Sequence, residues 1–133
     1  MHYTDDLSTL SAHQLTGGFF VGWPDPPSPD KHLEILKSSY KVWLAMDGDQ
    51  VCGFINAISD GLYSAFIPML EVLPGYQQQG VGSDLILRML ESLSDLYSID
   101  LCCDENVIPF YIRLGFTQTT CMSIRHYNRQ NGL

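Results

Sequence analysis

The segment Leu70 to Leu90, LEVLPGYQQQGVGSDLILRML, constrains this chain more than any other. A strand-like run, Leu70-Glu71-Val72, passes through a turn holding Gly80 and Gly82. Beyond it Leu85, Ile86, Met89, Leu90, Leu93, Leu96 and Tyr97 recur at helical spacing, with Asp84, Arg88, Glu91 and Asp95 on other faces. The pattern predicts a helix over Gly82–Tyr97. Glycine supports close approach or a left-handed backbone, and a helix start presents unpaired N–H groups with a partial positive charge. Strand, glycine turn and helix N-terminus together make an anion-binding device, to which the neutral glutamines and Ser83 add donors without formal charge. The competing reading of a lone G-x-G is a capped turn. No G-x-x-x-x-G-K-S/T is present, which excludes a P-loop, and no G-x-G-x-x-G opens a first strand–helix unit.

The surrounding chain supplies a sheet. Val42–Met46 and Val51–Ile58 are β-rich runs joined by Asp47-Gly48-Asp49, a hairpin signal that Ser59-Asp60-Gly61 repeats. Ala65–Leu73 reads as a third strand, in which Pro68 cannot donate to a ladder and so marks a bulge or a splayed edge. Ile99–Cys103 reads as a short strand, Asn106–Leu114 as a short helix ended by Gly115, and Phe116–Tyr127 as a final strand. Upstream, Asp6–Leu15 has helical character through Leu7, Leu10 and Leu15. Four prolines make Gly22–Pro29 an irregular loop, and a second helix follows with Asp30 as its cap and Leu33, Leu36 and Tyr40 as its buried stripe. The order predicts an α/β fold, a mixed and mostly antiparallel sheet with helices on both faces, in which the helix after Gly80 is the crossover between parallel strands.

Length and charge narrow the function. A chain of 133 residues, 45% apolar and 17% charged, fits one domain over residues 1–133. Fifteen acidic against seven basic residues give a net charge of −8. That argues against nucleic-acid binding, which needs clustered Lys and Arg, and suits attraction of cationic amines or simple solubility. No run has the length of a membrane span, and the N-terminus lacks the parts of a signal peptide, so a cytoplasmic location is expected. Cys52, Cys102, Cys103 and Cys121 show neither metal-ligand spacing nor a disulfide framework, and most are expected as small core residues in strands. In an extended segment Cys102 and Cys103 would face opposite ways, so at most one would line a pocket.

Gln77-Gln78-Gln79-Gly80-Val81-Gly82 resembles the Q/R-x-x-G-x-G/A signature of the GNAT superfamily of acetyl-CoA-dependent N-acetyltransferases. Asn106–Phe116, NVIPFYIRLGF, resembles the second diagnostic segment of that family. The resemblance covers roughly Lys41 to Phe116, and GWPDPPSP with ISDG is similar to a subgroup that includes plant plastid amine acetyltransferases. It implies a V-shaped splay between Ala65–Leu73 and Ile99–Cys103 that takes acetyl-CoA. Leu70 and Val72 would pair with the pantetheine, the segment Gln77–Ser83 (Gln77, Gln78, Gln79, Gly80, Val81, Gly82, Ser83) would hold the diphosphate, and Asn106 would contact the pantetheine or cap its helix. Where the family often has Gly-Lys or Gly-Arg, this chain has Gln78-Gln79, which puts more weight on main-chain amides. The family opens with a full first strand, for which only Met1–Thr4 is available.

The resemblance further implies direct attack of a primary amine, on a small molecule or a protein, with Tyr111 as the general acid. The base is less defined. Phe66 stands where some members carry glutamate, which leaves Asp104 and Glu105 as the principal candidates beside Asp60, while Glu71 is read as directed elsewhere. Trp23 is either part of the acceptor wall or a core plug. His2, His13, His32 and His126 receive no role, and no metal is expected. Phe116–Tyr127 is a candidate for pairing between two subunits in a homodimer. The alternative function is a noncatalytic acyl-CoA-binding or protein-interaction module on the same scaffold.

Overall fold

The computed structural model describes all 133 residues. Its elements are β1 (His2–Thr4), α1 (Pro29–Ser38), β2 (Lys41–Asp47), β3 (Gln50–Ser59), β4 (Ser64–Val72), α2 (Val81–Ser92), β5 (Ser98–Leu101) and α3 (Ile108–Arg113). They build one sheet in the order β1-β2-β3-β4-β5. The pairings among the first four strands are antiparallel, and β5 runs parallel to β4. The expected α/β architecture, with α2 as the crossover, is what forms. The short N-terminal segment does supply β1, paired against β2 from His2↔Met46 to Thr4↔Leu44.

Two adjacent residues of β3 show both sheet faces covered. A Cβ at Gly53 would meet Leu85 Cδ1 at 3.2 Å and Val81 Cγ1 at 3.3 Å, so α2 packs close on that face. Phe54, completely buried, points the other way into a cluster of Phe19, Phe20 and His32, the last contributed by α1. The core is continuous across the sheet and includes Leu44, Ile55, Leu85, Ile86 and Met89.

Several elements differ from expectation. Asp6–Leu15 is not an α-helix: the Asp6 carboxylate accepts the Ser8 amide at 2.9 Å and turns the chain, and only Ala12–Leu15 forms a 3-10 turn. The cap of α1 is Ser28, whose hydroxyl accepts the Lys31 amide at 3.1 Å, and Asp30 lies inside the first turn. Pro29 stands at the start of the helix, where its missing N–H costs nothing. The buried residues of α1 are His32 and Leu36, while Tyr40 falls beyond the helix and is exposed. α2 ends at Ser92 rather than at Tyr97, which is 78% exposed and stacks on Tyr63 with ring centroids 4.9 Å apart.

The largest correction is at the C-terminus. Phe116–Tyr127 forms no strand within this chain, although its residues favour one: it pairs with neither edge of the sheet. The cysteines differ as well. Only Cys52 is buried; Cys102 and Cys121 are joined by a disulfide that spans α3, and Cys103 is a free, exposed thiol. Sequence spacing carried no signal for a bridge made by a segment folding back after a helix.

Candidate active site

Pro68 sits at the bulge its chemistry demands. Asn56 pairs with Met69 and Ile58 with Phe66, so Ala57 of β3 faces both Ile67 and Pro68 of β4. The parallel pairing with β5 covers only Ser64–Ile67. Beyond that point β4 continues to Val72 alone on that side, and the two strands part.

The register decides what β4 offers to the gap. The Leu73 N–H donates to the Cys52 carbonyl at 2.8 Å. By antiparallel alternation the ladder pairs with β3 then fall on Glu71 and Met69, and the main-chain groups of Leu70 and Val72 turn toward the opening. The Val72 carbonyl accepts the Gln77 side-chain amide at 3.0 Å, which ties the glycine turn to the strand end.

The turn itself is built to expose donors. Gln78 and Gly80 hold positive φ of 61° and 82°, and Gly80 is the residue immediately before α2. None of the main-chain amides from Gln78 through Ser83 donates to a protein acceptor; the first that does is Asp84, to the Gly80 carbonyl at 3.0 Å. Alternating backbone hands followed by a helix start make a concave set of N–H groups suited to phosphate oxygens. The missing Cβ of Gly82 keeps this concavity open beside Phe110.

A cleft of about 830 Å³ runs from this turn through the splay to α3. Gln77, Gln78, Gly80, Val81, Gly82 and Ser83 line one end. Leu70, Val72, Asp104 and Tyr111 line it further along. Gln79 does not, since its side chain turns back to the Gly75 carbonyl at 3.4 Å. Asn106 is exposed in the 3-10 turn before α3, outside the lining, and makes no side-chain cap. Glu105 is absent from this lining and borders a neighbouring groove between α3 and the C-terminal arm. Asp60 is at the opposite end of β4, where the amides of Leu62, Tyr63 and Ser64 bond its carboxylate and hold its pKa below the usual carboxylate range. Phe66 is 40% exposed and carries no ionisable group. Both Cys102 and Cys103 line the cleft, because they follow the end of β5, where strand alternation no longer applies.

Tyr111 packs edge-on against Phe110 and Phe116, with centroids 4.9 and 5.5 Å away. Burial pushes its phenol up to about 12, with a smaller contribution from Cys103, so it is held as a proton donor. Among the polar lining residues, Arg113 has no place in the sequence reading, and Cys103 and Glu71 sit differently from expectation. Arg113 is the one basic residue on the lining; it stands three positions after Phe110 on α3, a same-face spacing that was legible. Cys103 was treated as one of an alternating pair. Glu71 borders the cleft beside Phe20, Val21 and Trp23, with its carboxylate turned to the Phe20 and Val21 amides. Trp23 is 41% exposed on this wall with its ring 4.9 Å from Phe20, which makes it a wall residue rather than a core plug. No helix is long and apolar enough to cross a membrane.

Residues 38–118 match the family model described as "Acetyltransferase (GNAT) domain". The chain is 44% identical to a crystal structure from Deinococcus radiodurans R1 of a protein assigned as an acetyltransferase, at a TM-score of 0.96, covering 99% of this chain and 92% of that one. It superimposes on a GNAT-family acetyltransferase of Streptococcus pneumoniae at a TM-score of 0.75 with 28% identity, covering 93% and 97% of the two chains. Among sequence relatives, it is 36% identical over 109 residues to a histone acetyltransferase of Glycine max, covering 72% of this chain and 47% of that protein. It is 32% identical over 118 residues to the chloroplastic GCN5-related N-acetyltransferase 2 of Arabidopsis thaliana, covering 72% of this chain and 45% of that one. The chain thus spans under half the length of these two plant relatives.

Proposed function

The chain belongs to the GNAT acetyltransferases, and from that premise we propose that it transfers an acetyl group from acetyl-CoA to a primary amine, of a small molecule or a protein, by direct attack. One observation carries the reading: the unpaired amides of Gln78–Ser83 open into the same cleft as the Tyr111 phenol. The residues present fit the cofactor. A concave set of N–H donors suits its diphosphate, the cleft-facing main-chain groups of Leu70 and the Val72 N–H suit its pantetheine amides, and the cleft has the volume for such a ligand.

Acetyl-CoA supplies an activated thioester when bound. The chain's own residues bring the amine to it and manage two protons. Tyr111 donates a proton at its phenol oxygen to the departing sulfur. Asp104, the one of the two principal carboxylate candidates that lines the cleft, takes the proton from the amine nitrogen, directly or through water; Glu105 borders the groove beside α3 instead. Phe20, Val21 and Trp23 form the acceptor wall, and the acidic balance of the chain favours a cationic amine. The working unit is residues 1–133 as one domain. Its cytoplasmic location is kept as part of this proposal, beside relatives whose names place them in the chloroplast.

A homodimer belongs to the same reading. From Thr117 to Arg125 no main-chain group is hydrogen-bonded within the chain, and Met122 and Ile124 are 94% and 89% exposed. The outer edge of β5 carries no neighbour and borders a groove lined by Ile99, Leu101, Phe116 and Thr119. Residues 94–105 hold Asp95, Asp100, Asp104 and Glu105 without a basic residue, whereas residues 115–133 hold Arg125 and Arg129 without an acidic one. Charge and hydrogen-bonding needs are therefore complementary between the arm of one copy and the edge of another.

Titration calorimetry with acetyl-CoA, followed by a turnover screen over monoamines, polyamines and lysine peptides, tests the activity. Binding with turnover of at least one amine is expected. Binding without turnover over the whole panel would favour a noncatalytic acyl-CoA-binding module, and no binding at millimolar cofactor would remove both.

A further inference from the structure

Glu71 lies on β4 between the two residues whose main chain faces the splay, yet its side chain is committed elsewhere. One carboxylate oxygen accepts the Phe20 N–H at 2.9 Å; the other accepts the same N–H at 2.9 Å and the Val21 N–H at 3.3 Å. These are the only hydrogen bonds that tie the loop from Gly17 to Pro27 to the sheet. The loop needs such a tie. Phe20 holds a φ of 65°, a conformation a bulky L-residue rarely adopts, between Gly18 at 99° and Gly22 at 84°. Such a backbone persists only where its surroundings over-determine it. Packing of Phe20 against His32 and Phe54 fixes the ring, and the Glu71 carboxylate fixes the backbone. The same loop carries Val21 and Trp23 into the cleft.

We propose that Glu71 is a positioning residue that sets acceptor specificity: its carboxylate clamps the Phe20–Trp23 wall onto the cofactor strand, and it does not serve as the proton acceptor. The inference rests on the acetyltransferase reading of the cleft. Geometry supplies the reason. Both oxygens are occupied by main-chain donors that the loop cannot replace, so drawing a proton onto Glu71 would release the wall that holds the amine. Because the main-chain groups of Leu70 and Val72 face the splay while the Glu71 side chain faces the loop, one short piece of β4 aligns the cofactor and the acceptor wall together.

The test uses the full chain carrying Glu71→Ala, with Glu71→Gln as the variant that keeps side-chain size, both in a Trp43→Phe background so that fluorescence reports Trp23 alone. Acrylamide quenching of Trp23 is expected to rise at least twofold. The amine KM is expected to rise tenfold or more, with kcat changed less than threefold, acetyl-CoA affinity within twofold, and the acid limb of the pH–rate profile in place. Unchanged Trp23 quenching in both variants overturns the clamp. A hundredfold fall in kcat with unchanged amine KM and a lost acid limb overturns it in favour of a catalytic base. The quenching arm needs no turnover, so it judges the clamp even where the acetyltransferase reading fails.

Discussion

Leu73 and Cys52 share one main-chain hydrogen bond of 2.8 Å, and that bond fixes which way the second half of β4 faces. It places Met69 and Glu71 in the ladder with β3 and turns Leu70 and Val72 toward the cleft. Leu70→Pro removes an N–H that only the ligand uses, so acetyl-CoA binding should weaken about tenfold, for roughly 0.5–1.5 kcal/mol of lost hydrogen bonding, with a small change in melting temperature. Met69→Pro removes a ladder N–H and leaves a carbonyl of β3 unpaired. It should cost about 1–3 kcal/mol of stability by denaturant unfolding. Equal effects of the two substitutions on stability would contradict the assigned facing.

Gly80 holds φ at 82° with no protein atom within 4 Å of an added Cβ, so backbone conformation and not crowding is what demands glycine. Gly80→Ala should lower stability by about 1–2 kcal/mol and flatten the donor concavity. Calorimetry should then show weaker binding of acetyl-CoA and of coenzyme A alike, since both carry the diphosphate. A variant of wild-type stability and affinity would mean that the turn is a plain cap.

Tyr111→Phe removes the proton donor and keeps the ring packing against Phe110 and Phe116. The expected result is a fall in kcat of about 100-fold or more with cofactor affinity within threefold. Since burial lifts the phenol to about 12, Tyr111 should stay protonated through the neutral range, and an alkaline limb close to neutral pH would belong to another group. An unchanged kcat in the variant would take Tyr111 out of the acid role.

His32 is 1% exposed, its Nε2 has no partner, and burial depresses its pKa to about 4 from 6.5. In the unfolded chain the imidazole binds a proton that the folded state excludes. The stabilisation from keeping it neutral is thus complete above pH 6.5 and is lost as pH falls toward 4, by at most about 3 kcal/mol. Melting temperatures across that window should decline in the wild type and flatten with His32→Leu. A slope that persists in the variant would assign the acid sensitivity to other groups.

Arg125 lies on the unpaired arm, and β5 with its flanks is acidic. Arg125→Glu should convert a sedimentation mass of two chains into that of one. A wild-type protein that sediments as a single chain at high micromolar concentration would remove the dimer from the proposal.

The local code was strong wherever neighbours along the chain decide structure. The Asp47-Gly48-Asp49 hairpin, the bulge at Pro68 and the helix after Gly80 follow from turn chemistry, a missing N–H and a period of 3.6, and each is present. The left-handed glycine turn before α2 and the placement of Tyr111 on a short helix were legible for the same reason, because each sits inside one short segment. What failed were features set by distant partners. The cysteines at 102 and 121 met across α3, and the C-terminal run stayed unpaired despite its strand-forming residues; Asp6–Leu15 is a local exception, where an Asx turn between Asp6 and Ser8 competes with the helix.

By itself, then, the sequence determined the sheet-and-crossover plan and the amide-rich turn, since these arise from backbone preferences spread over a few residues. Only the tertiary structure decided which carboxylates meet the cleft. Glu105 falls in the groove beside α3, Asp104 lines the cleft, and Glu71 is handed to the Phe20 loop 50 residues upstream. A side chain's direction depends on strand register and on where a strand ends, and both are set by long-range pairing that no local pattern records.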